Sequence, residues 1–401
     1  MNPSRLFLAS CLALAVTAMS FAIRGDIMGE ISTVFKLSKD EVGWVNAAAF
    51  WGFTLAMVFG GPLCDVIGMR NIVIIAIVGH LTGILTTIFA TGGTSLFVGT
   101  LLIGIANGSV EAACNPLIAA MYPDDKTRRL NLFHVWFPGG IVIGGLACYA
   151  LMQAGLGWQA KNALMLLPLV VYAALFWRQE FPRTERVEAG VSTGAMFAAC
   201  GQPLFLVMVA CMLLTAATEL GPNQWISTIL TETAGVPGIL VLVWITGLMA
   251  LGRQFAGPVV HRLNPIGMLL FSAIFSAIGL LWMSVAKDTI SIYAAATVFA
   301  VGVCYFWPTM LGVVAERCPT TGALGLAIMG GAGMLSAGFI QPAMGIVYKD
   351  YGGDVALRLT GLMPFLLILV FGTLYAMDLR RGGYRTQKPG DGAPGAAGQG
   401  H

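Results

Sequence analysis

Glu111 is a lone carboxylate in the middle of an apolar run that extends from Leu96 to Met121. Asn107 and Asn115 lie four residues before and after it, so on a helix the three side chains form one polar stripe. An ionisable group at membrane depth is costly and usually faces a protein interior or a water-filled cavity. A carboxylate between two amides can take up and release a proton there, so we predict that Glu111 carries a proton. The structural alternative is an interhelical hydrogen bond.

Arg24 is an always-charged group inside the first apolar run, so it needs a partner. Thr215, Glu219 and Asn223 repeat the polar stripe in the seventh run. Arg24 and Glu219 are separated by 195 residues, the offset of an internal repeat described below. We therefore expect them to face each other across a cavity as an ion pair, for which a solute carboxylate would compete.

Asp26 is a second candidate proton carrier. It lies in the outer third of the first run, on the same helix face as Glu30 and on a different face from Arg24. For both carboxylates the alternative is a position at the water interface.

Other polar and aromatic side chains of these runs are candidates for contact with a small solute. Aromatic rings can stack on a sugar ring, although core packing is the alternative for each of them. His80 is expected to be a satisfied interior histidine. We predict that the solute is bound by Arg24, Asn107, Asn115, His134, Glu219, Asn223, Trp225, Tyr305, Trp307 and Gln341.

The elements that position these residues are membrane spans. Of the 401 residues, 57% are hydrophobic and 10% are charged, whereas soluble proteins carry about 25% charged residues. A spanning helix needs about 20 apolar residues, and lipid offers no partner for a free backbone amide. The sequence therefore predicts an all-α membrane protein with twelve transmembrane helices, at about 6–35, 42–63, 72–92, 95–121, 130–153, 159–178, 201–230, 238–260, 266–286, 291–315, 322–348 and 357–378.

Lysine and arginine set the expected orientation. With the N-terminus in the cytoplasm, 15 of the 22 basic residues fall on the cytoplasmic side and 6 on the other. Both termini are thus predicted to be cytoplasmic, in a plasma (inner) membrane, and the net charge of +3 does not indicate nucleic acid binding. Cleavage of the first run as a signal peptide near Ala22 is the alternative. The eight cysteines show no metal spacing and are expected to act as small apolar residues.

The chain repeats itself. Phe59 and Pro62 match Phe255 and Pro258 at an offset of 196 residues, and the triplet IST at 31–33 recurs at 226–228. We predict an N-terminal six-helix bundle at 1–178, a cytoplasmic linker at 179–193, a C-terminal six-helix bundle at 194–380 and a disordered tail at 381–401. Two such bundles around a midplane site are the plan of many secondary transporters.

The stretch from Gly61 to Arg70, GPLCDVIGMR, resembles the loop signature G-x-x-x-D-x-x-G-x-R/K of the major facilitator superfamily. The resemblance implies that Asp65 holds one conformation closed on the cytoplasmic side, with Gly61, Gly68 and Arg70 forming the turn. We add Arg253, near the cytoplasmic end of the eighth span, to this predicted gate. An ordinary turn with a solvated charge is the alternative.

The stretch from Glu111 to Pro116 is similar to the E-x-A-x-N-P motif in the fourth span of the fucose/glucose–galactose:proton symporter branch of that superfamily. Shorter matches accompany it at 24–26, 130–134, 218–225, 252–253 and 306–309. The resemblance implies proton-coupled uptake of a hexose-like sugar. Two residues depart from the branch: Arg24, where the branch usually has a neutral amide, and Phe137, where it often has a polar residue.

The sequence therefore favours a proton-coupled sugar transporter that works by alternating access. The alternatives are an organic-anion carrier that uses Arg24 and a drug/proton antiporter, and sodium stays an alternative coupling ion. We expect a monomer in the lipid bilayer with no cofactor. The sequence has none of the motifs GxxxxGK[ST], HExxH or GxSxG, so it gives no indication of an enzyme.

Overall fold

The computed structural model describes residues 2–122, 129, 132–182, 198–254 and 256–386. Within these ranges eleven helices are long and apolar enough to cross a membrane, and Gly238–Arg253 is a twelfth, shorter apolar helix. The predicted all-α membrane architecture is thereby confirmed. The predicted linker residues 183–193 and tail residues 387–401 lie outside these ranges, so both boundaries stay predictions.

The N-terminal half forms six spans, of which the sixth is broken in two. Its helices are α1 (Pro3–Val34), α2 (Lys39–Ile67), α3 (Met69–Ile88), α4 (Gly93–Met121), α5 (Trp136–Gln153), α6 (Trp158–Ala163) and α7 (Leu166–Phe176).

The C-terminal half repeats this plan, with breaks in its fourth and sixth spans. Its helices are α8 (Pro203–Ala234), α9 (Gly238–Gln254), α10 (Ala256–Met283), α11 (Thr289–Val303), α12 (Phe306–Arg317), α13 (Gly322–Tyr351), α14 (Gly353–Thr360) and α15 (Met363–Arg380).

Local sequence explains where several helices begin and end. The Asn2 side chain accepts from the Arg5 amide at 3.1 Å and caps α1, which Pro3 opens. The Arg5 guanidinium in turn donates to the Ala174 and Leu175 carbonyls at 2.8 Å, where α7 ends. Gly68 separates α2 from α3 with φ +84°, a conformation that favours glycine.

Because each half has six spans, both ends of the chain lie on one side of the bundle. We call this the terminal side and the opposite one the distal side. The terminal side carries Asn2, Gly68, Arg317 and Arg380, and the distal side carries Lys39, Gly93, Lys161, Glu232 and Lys349.

Ion pairs and close helix contacts join the two halves on the distal side. The Lys39 ammonium lies 2.6 Å from Glu232, and Lys349 lies 3.2 Å from Asp40, so two ion pairs cross between halves. A Cβ at Gly43 would lie 2.6 Å from the Cα of Pro342, which shows how closely α2 and α13 approach. Towards the terminal side α2 still contacts α13 where Val58 lies beside Gly331, but Phe59, Leu63 and Val66 beyond it are exposed. The structure is therefore closed distally.

Two further expectations concern the cysteines and the tail. All eight cysteines are unbridged, and seven are buried. Tyr384, at the start of the predicted disordered tail, is fixed to the bundle: its hydroxyl donates to Glu316 at 2.7 Å, and its ring lies 4.1 Å from the Arg317 guanidinium. The pKa of Tyr384 is raised by burial and by this hydrogen bond.

Candidate functional site

The guanidinium of Arg24 lies in a polar cluster that joins the two halves. Its Nε donates to Oδ1 of Asn46 at 2.5 Å and to Oε1 of Gln224 at 3.1 Å. Asn46 Nδ2 donates to Oε1 of Gln341 at 2.9 Å, and Gln341 Nε2 donates to the Leu220 carbonyl at 3.2 Å. We call Arg24, Asn46, Gln224 and Gln341 the Arg24 cluster.

Arg24 has no anionic partner among the described residues. It is 8% exposed, and its buried Nη2 makes no hydrogen bond to any of them. Two aromatic rings lie beside it, with the centroids of Phe21 and Phe50 at 4.8 and 4.9 Å from the guanidinium carbon. A buried guanidinium with only neutral neighbours is a costly arrangement that a solute carboxylate would relieve.

The predicted Arg24–Glu219 ion pair is wrong. The Glu219 carboxylate instead lies 3.8 Å from the Arg253 guanidinium, and Arg253 Nε donates to the Cys304 carbonyl at 3.0 Å. The reason is axial: Arg24 meets α8 at Gln224, more than one helical turn beyond Glu219. Arg253, which we predicted to be a gate residue, is therefore the partner of a buried carboxylate.

Glu111 and Asn115 are hydrogen-bonded to each other, whereas Asn107 has other partners. Asn115 Nδ2 donates to Glu111 at 2.9 Å, and its Oδ1 lies 3.0 Å from Nε2 of the exposed His134. Glu111 and Asn115 are partly exposed, so a proton can reach them. Asn107 is fully buried between Ser20 and His80. Steps of four residues rotate by about 40° around a helix, so the stripe turns inward at Asn107.

His80 is a satisfied interior histidine, as expected. Its Nδ1 lies 2.8 Å from the Tyr172 hydroxyl and its Nε2 lies 2.8 Å from Asn107. Both of these hydrogen-bond partners of Asn107, Ser20 and His80, lie inside the N-terminal half, so binding of solute by Asn107 stays a prediction.

Asp26 is buried in a charge cluster on the distal side. Its carboxylate accepts from Lys161 of α6 at 2.8 Å and from Ser227 of the other half at 3.0 Å. Lys161 also lies 3.6 Å from Glu30, whose other oxygen accepts from the Trp158 amide at 2.8 Å. Asp26 therefore does not lie at the water interface. If it carries a proton, protonation would break its ion pair with Lys161.

Of the other residues that were predicted to bind solute, some lie in the core and some lie between the two halves. Trp225 is fully buried and packs edge-on against Tyr348 at 5.6 Å, which matches the core-packing alternative, and its stacking on solute stays a prediction. The Tyr305 hydroxyl donates to the Gly252 carbonyl at 3.1 Å. Trp307 is partly exposed between the halves. Asn223 is buried with an unbonded Oδ1 among the described residues, so it stays a candidate.

The predicted terminal-side gate is described only in part. Gly61 lies inside α2 beside open space, Gly68 ends that helix, and Arg70 is exposed. The Asp65 side chain lies outside the described set, so its role as a latch stays a prediction.

Sequence reasoning missed Asn46, Gln224 and Lys161. Asn46 is a lone amide in an apolar run, which is the signal we used for other residues. Gln224 is adjacent to the predicted stripe of α8, and only packing shows that it is the residue facing Arg24. Lys161 was counted only as one of the six basic residues on the side away from the cytoplasm, and the short helix α6 turns it inward to Asp26.

This fold and site are those of a two-bundle membrane transporter. Residues 6–340 match the Major Facilitator Superfamily, and the chain belongs to it. The inward-open xylose transporter XylE from E. coli superposes with a TM-score of 0.77 at 16% identity, over 92% of this chain and 96% of that chain. At that identity the likeness shows the fold alone. The family match confirms the sequence resemblance to the superfamily.

Relatives of this chain are transporters of different solutes. The cis,cis-muconate transport protein of Acinetobacter baylyi is 25% identical over 68% of this chain and 70% of its own length. The gallate transporter of Pseudomonas putida is 28% identical over 43% of this chain and 39% of its own. The D-xylose transporter of Levilactobacillus brevis is 26% identical over 36% and 32%. The matched part of the chain thus covers less than half the length of the gallate transporter and of the D-xylose transporter. All three relatives are transporters and none is an enzyme.

Proposed function

We propose that this protein is a secondary active transporter of a small organic anion, with Arg24 as the group that binds its carboxylate. The observation that carries the proposal is the buried Arg24 guanidinium, whose described partners are all neutral and whose Nη2 is unbonded. An anionic solute would supply the missing charge at a site reached by both halves. Two of the relatives named above carry organic acids.

A hexose-like sugar, which the sequence favours, is the second candidate. The amides of Asn46, Gln224 and Gln341 are groups that read hydroxyls, and the partly exposed Trp307 could stack on a sugar ring. The Arg24 guanidinium favours the anion because a neutral sugar would leave it uncompensated.

For either solute we propose proton coupling. Glu111 is the first candidate carrier because it is partly exposed on the terminal side, and Asp26 is the second. We also propose that the protein lies in the plasma (inner) membrane as a monomer with both termini in the cytoplasm, which makes this conformation inward-open.

Uptake into proteoliposomes tests the solute class. Benzoate, propionate, glucose and xylose are offered with and without a pH gradient, to the wild type, to Arg24→Gln and to Arg358→Gln as an exposed arginine control. We expect wild-type uptake of an acid that Arg24→Gln loses and Arg358→Gln keeps. Uptake of a sugar that Arg24→Gln retains, with no uptake of an acid, would overturn the anion proposal.

A further inference from the structure

The buried members of a small apolar cluster between the halves are separate from the main hydrophobic core, whereas Phe137, Ile141 and Trp307 at its edge pack against both. Both halves contribute to it, with α1, α2 and α5 on one side and α8, α12 and α13 on the other. Its buried members are Phe21, Phe50, Phe53, Leu220, Met334 and Ala337, and its partly buried members are Met57, Phe137, Ile141 and Trp307. We call it the central apolar cluster.

The central apolar cluster lies next to the Arg24 cluster, towards the terminal side. Each polar residue has an apolar neighbour one turn away in that direction: Phe21 precedes Arg24, Phe50 follows Asn46, Leu220 precedes Gln224 and Ala337 precedes Gln341. On each of four helices, a polar residue of the Arg24 cluster thus lies one turn to the distal side of an apolar residue of the central apolar cluster.

The partly buried members of this cluster are on the open side of the molecule. Met57 lies about three turns beyond Asn46 along α2, towards the terminal side, and Phe137 lies at the terminal-side start of α5. The distal side is closed by the ion pairs between the halves. A solute that enters from the terminal side would therefore have to pass this cluster to reach Arg24.

The ring contacts are continuous from the open surface to the guanidinium. Phe137 packs on Phe21 with ring centroids 5.5 Å apart, Phe21 packs on Phe50 at 5.5 Å, and both of these flank Arg24. Across the cluster, Gly330 and Gly333 leave room for the Trp307 indole, which would touch a Cβ at Gly333 at 2.9 Å. Aromatic walls of this kind bind flat, apolar ligand bodies edge-on or by stacking.

We infer that the solute of this carrier is a carboxylate on a flat, apolar body, with the body held by Phe21, Phe137 and Trp307. This inference rests on the proposed function, because Arg24 supplies the charged end of the site. The polar amides then hold the Arg24 guanidinium in place, and the aromatic surface selects among acids.

Ligand-induced thermal shifts of the purified protein test the inference with four probes: benzoate, cyclohexanecarboxylate, propionate and glucose. We expect benzoate to bind more tightly than either other acid. Phe137→Leu and Trp307→Leu should each weaken benzoate by about 2- to 10-fold, the value of one aromatic contact, and leave propionate unchanged. Phe89→Leu, at a ring that is 74% exposed, is the control.

The possible results separate the inference from the function it rests on. If the acids bind equally well, or if both leucine variants keep the benzoate preference, the inference is overturned and the anion proposal stands. If no acid binds, both are overturned. Unfolding temperatures without ligand show that each variant is folded, and Phe137→Tyr, which keeps the ring, should retain the benzoate preference.

Discussion

The Glu219 carboxylate lies 3.8 Å from the Arg253 guanidinium, whereas Arg24, its equivalent at the repeat offset, binds neutral amides. Glu219 is 9% exposed at its side chain, so its charge depends on Arg253 for compensation. The two arginines consequently have separate partners, and their substitutions should not rescue each other.

A double-mutant cycle checks this separation. Glu219→Gln and Arg253→Gln should couple by about 0.5–2 kcal/mol in the free energy of unfolding in detergent, because they are in contact. Glu219→Gln and Arg24→Gln should be additive within about 0.5 kcal/mol. A coupling of the second pair as large as that of the first would restore the ion pair predicted from the repeat.

The buried pair of Asp26 and Lys161 gives a second prediction. Lys161→Met leaves the Asp26 carboxylate uncompensated and should destabilise the protein by about 3–5 kcal/mol. Adding Asp26→Leu should recover most of this loss, because no buried charge remains. Thermal unfolding in detergent measures both effects. A double variant no more stable than Lys161→Met would show that the pair is not the source of the loss.

The spans could be predicted because a helix that crosses lipid needs about twenty consecutive apolar residues, and such runs are visible in the sequence. The division into two similar halves could also be predicted, from a short sequence repeat. The site residues were harder to predict, because the sequence does not show which way each side chain faces around its helix. Asn107 and Glu111 are separated by one helical turn, but a rotation of about 40° over four residues takes Asn107 into the interior beside His80.

The contacts between residues of different helices depend on how far each helix is shifted along its neighbour, and the sequence alone does not give this shift. The repeat aligned Arg24 with Glu219, but the depth at which α1 meets α8 is set by packing, and that depth places Gln224 opposite Arg24. Gly25 is the local reason, because a Cβ there would lie only 3.1 Å from the Gln224 carbonyl oxygen. Close approach at this glycine fixes which residue of α8 faces the guanidinium.

The distal closure should depend on Glu232, which accepts from Lys39 and from the Tyr348 hydroxyl, each at 2.6 Å. Glu232→Gln removes an ion pair between the halves, and such exposed pairs contribute about 0.2–1 kcal/mol. The distally open population should rise by about 1.4- to 5-fold.

Labelling of a cysteine placed at the buried Thr228 measures this population, with a reagent that does not cross the membrane. Asp350→Asn, an exposed carboxylate at the same end of α13, is the control and should not change the labelling rate. Equal rates in Glu232→Gln and in the control would show that the pair does not hold the halves closed.

Proton coupling through Glu111 is the last prediction. The carboxylate accepts from Asn115, which contacts the exposed His134, so a chain of polar groups connects it to the terminal side. Glu111→Gln keeps the hydrogen-bonding shape but cannot lose a proton. It should abolish accumulation of solute driven by a pH gradient and leave exchange of solute across the membrane nearly unchanged, in proteoliposomes that carry out both reactions. Asp26→Asn is the matched comparison on the distal side. Accumulation at the wild-type level by Glu111→Gln, together with its loss in Asp26→Asn, would assign the proton to Asp26 instead.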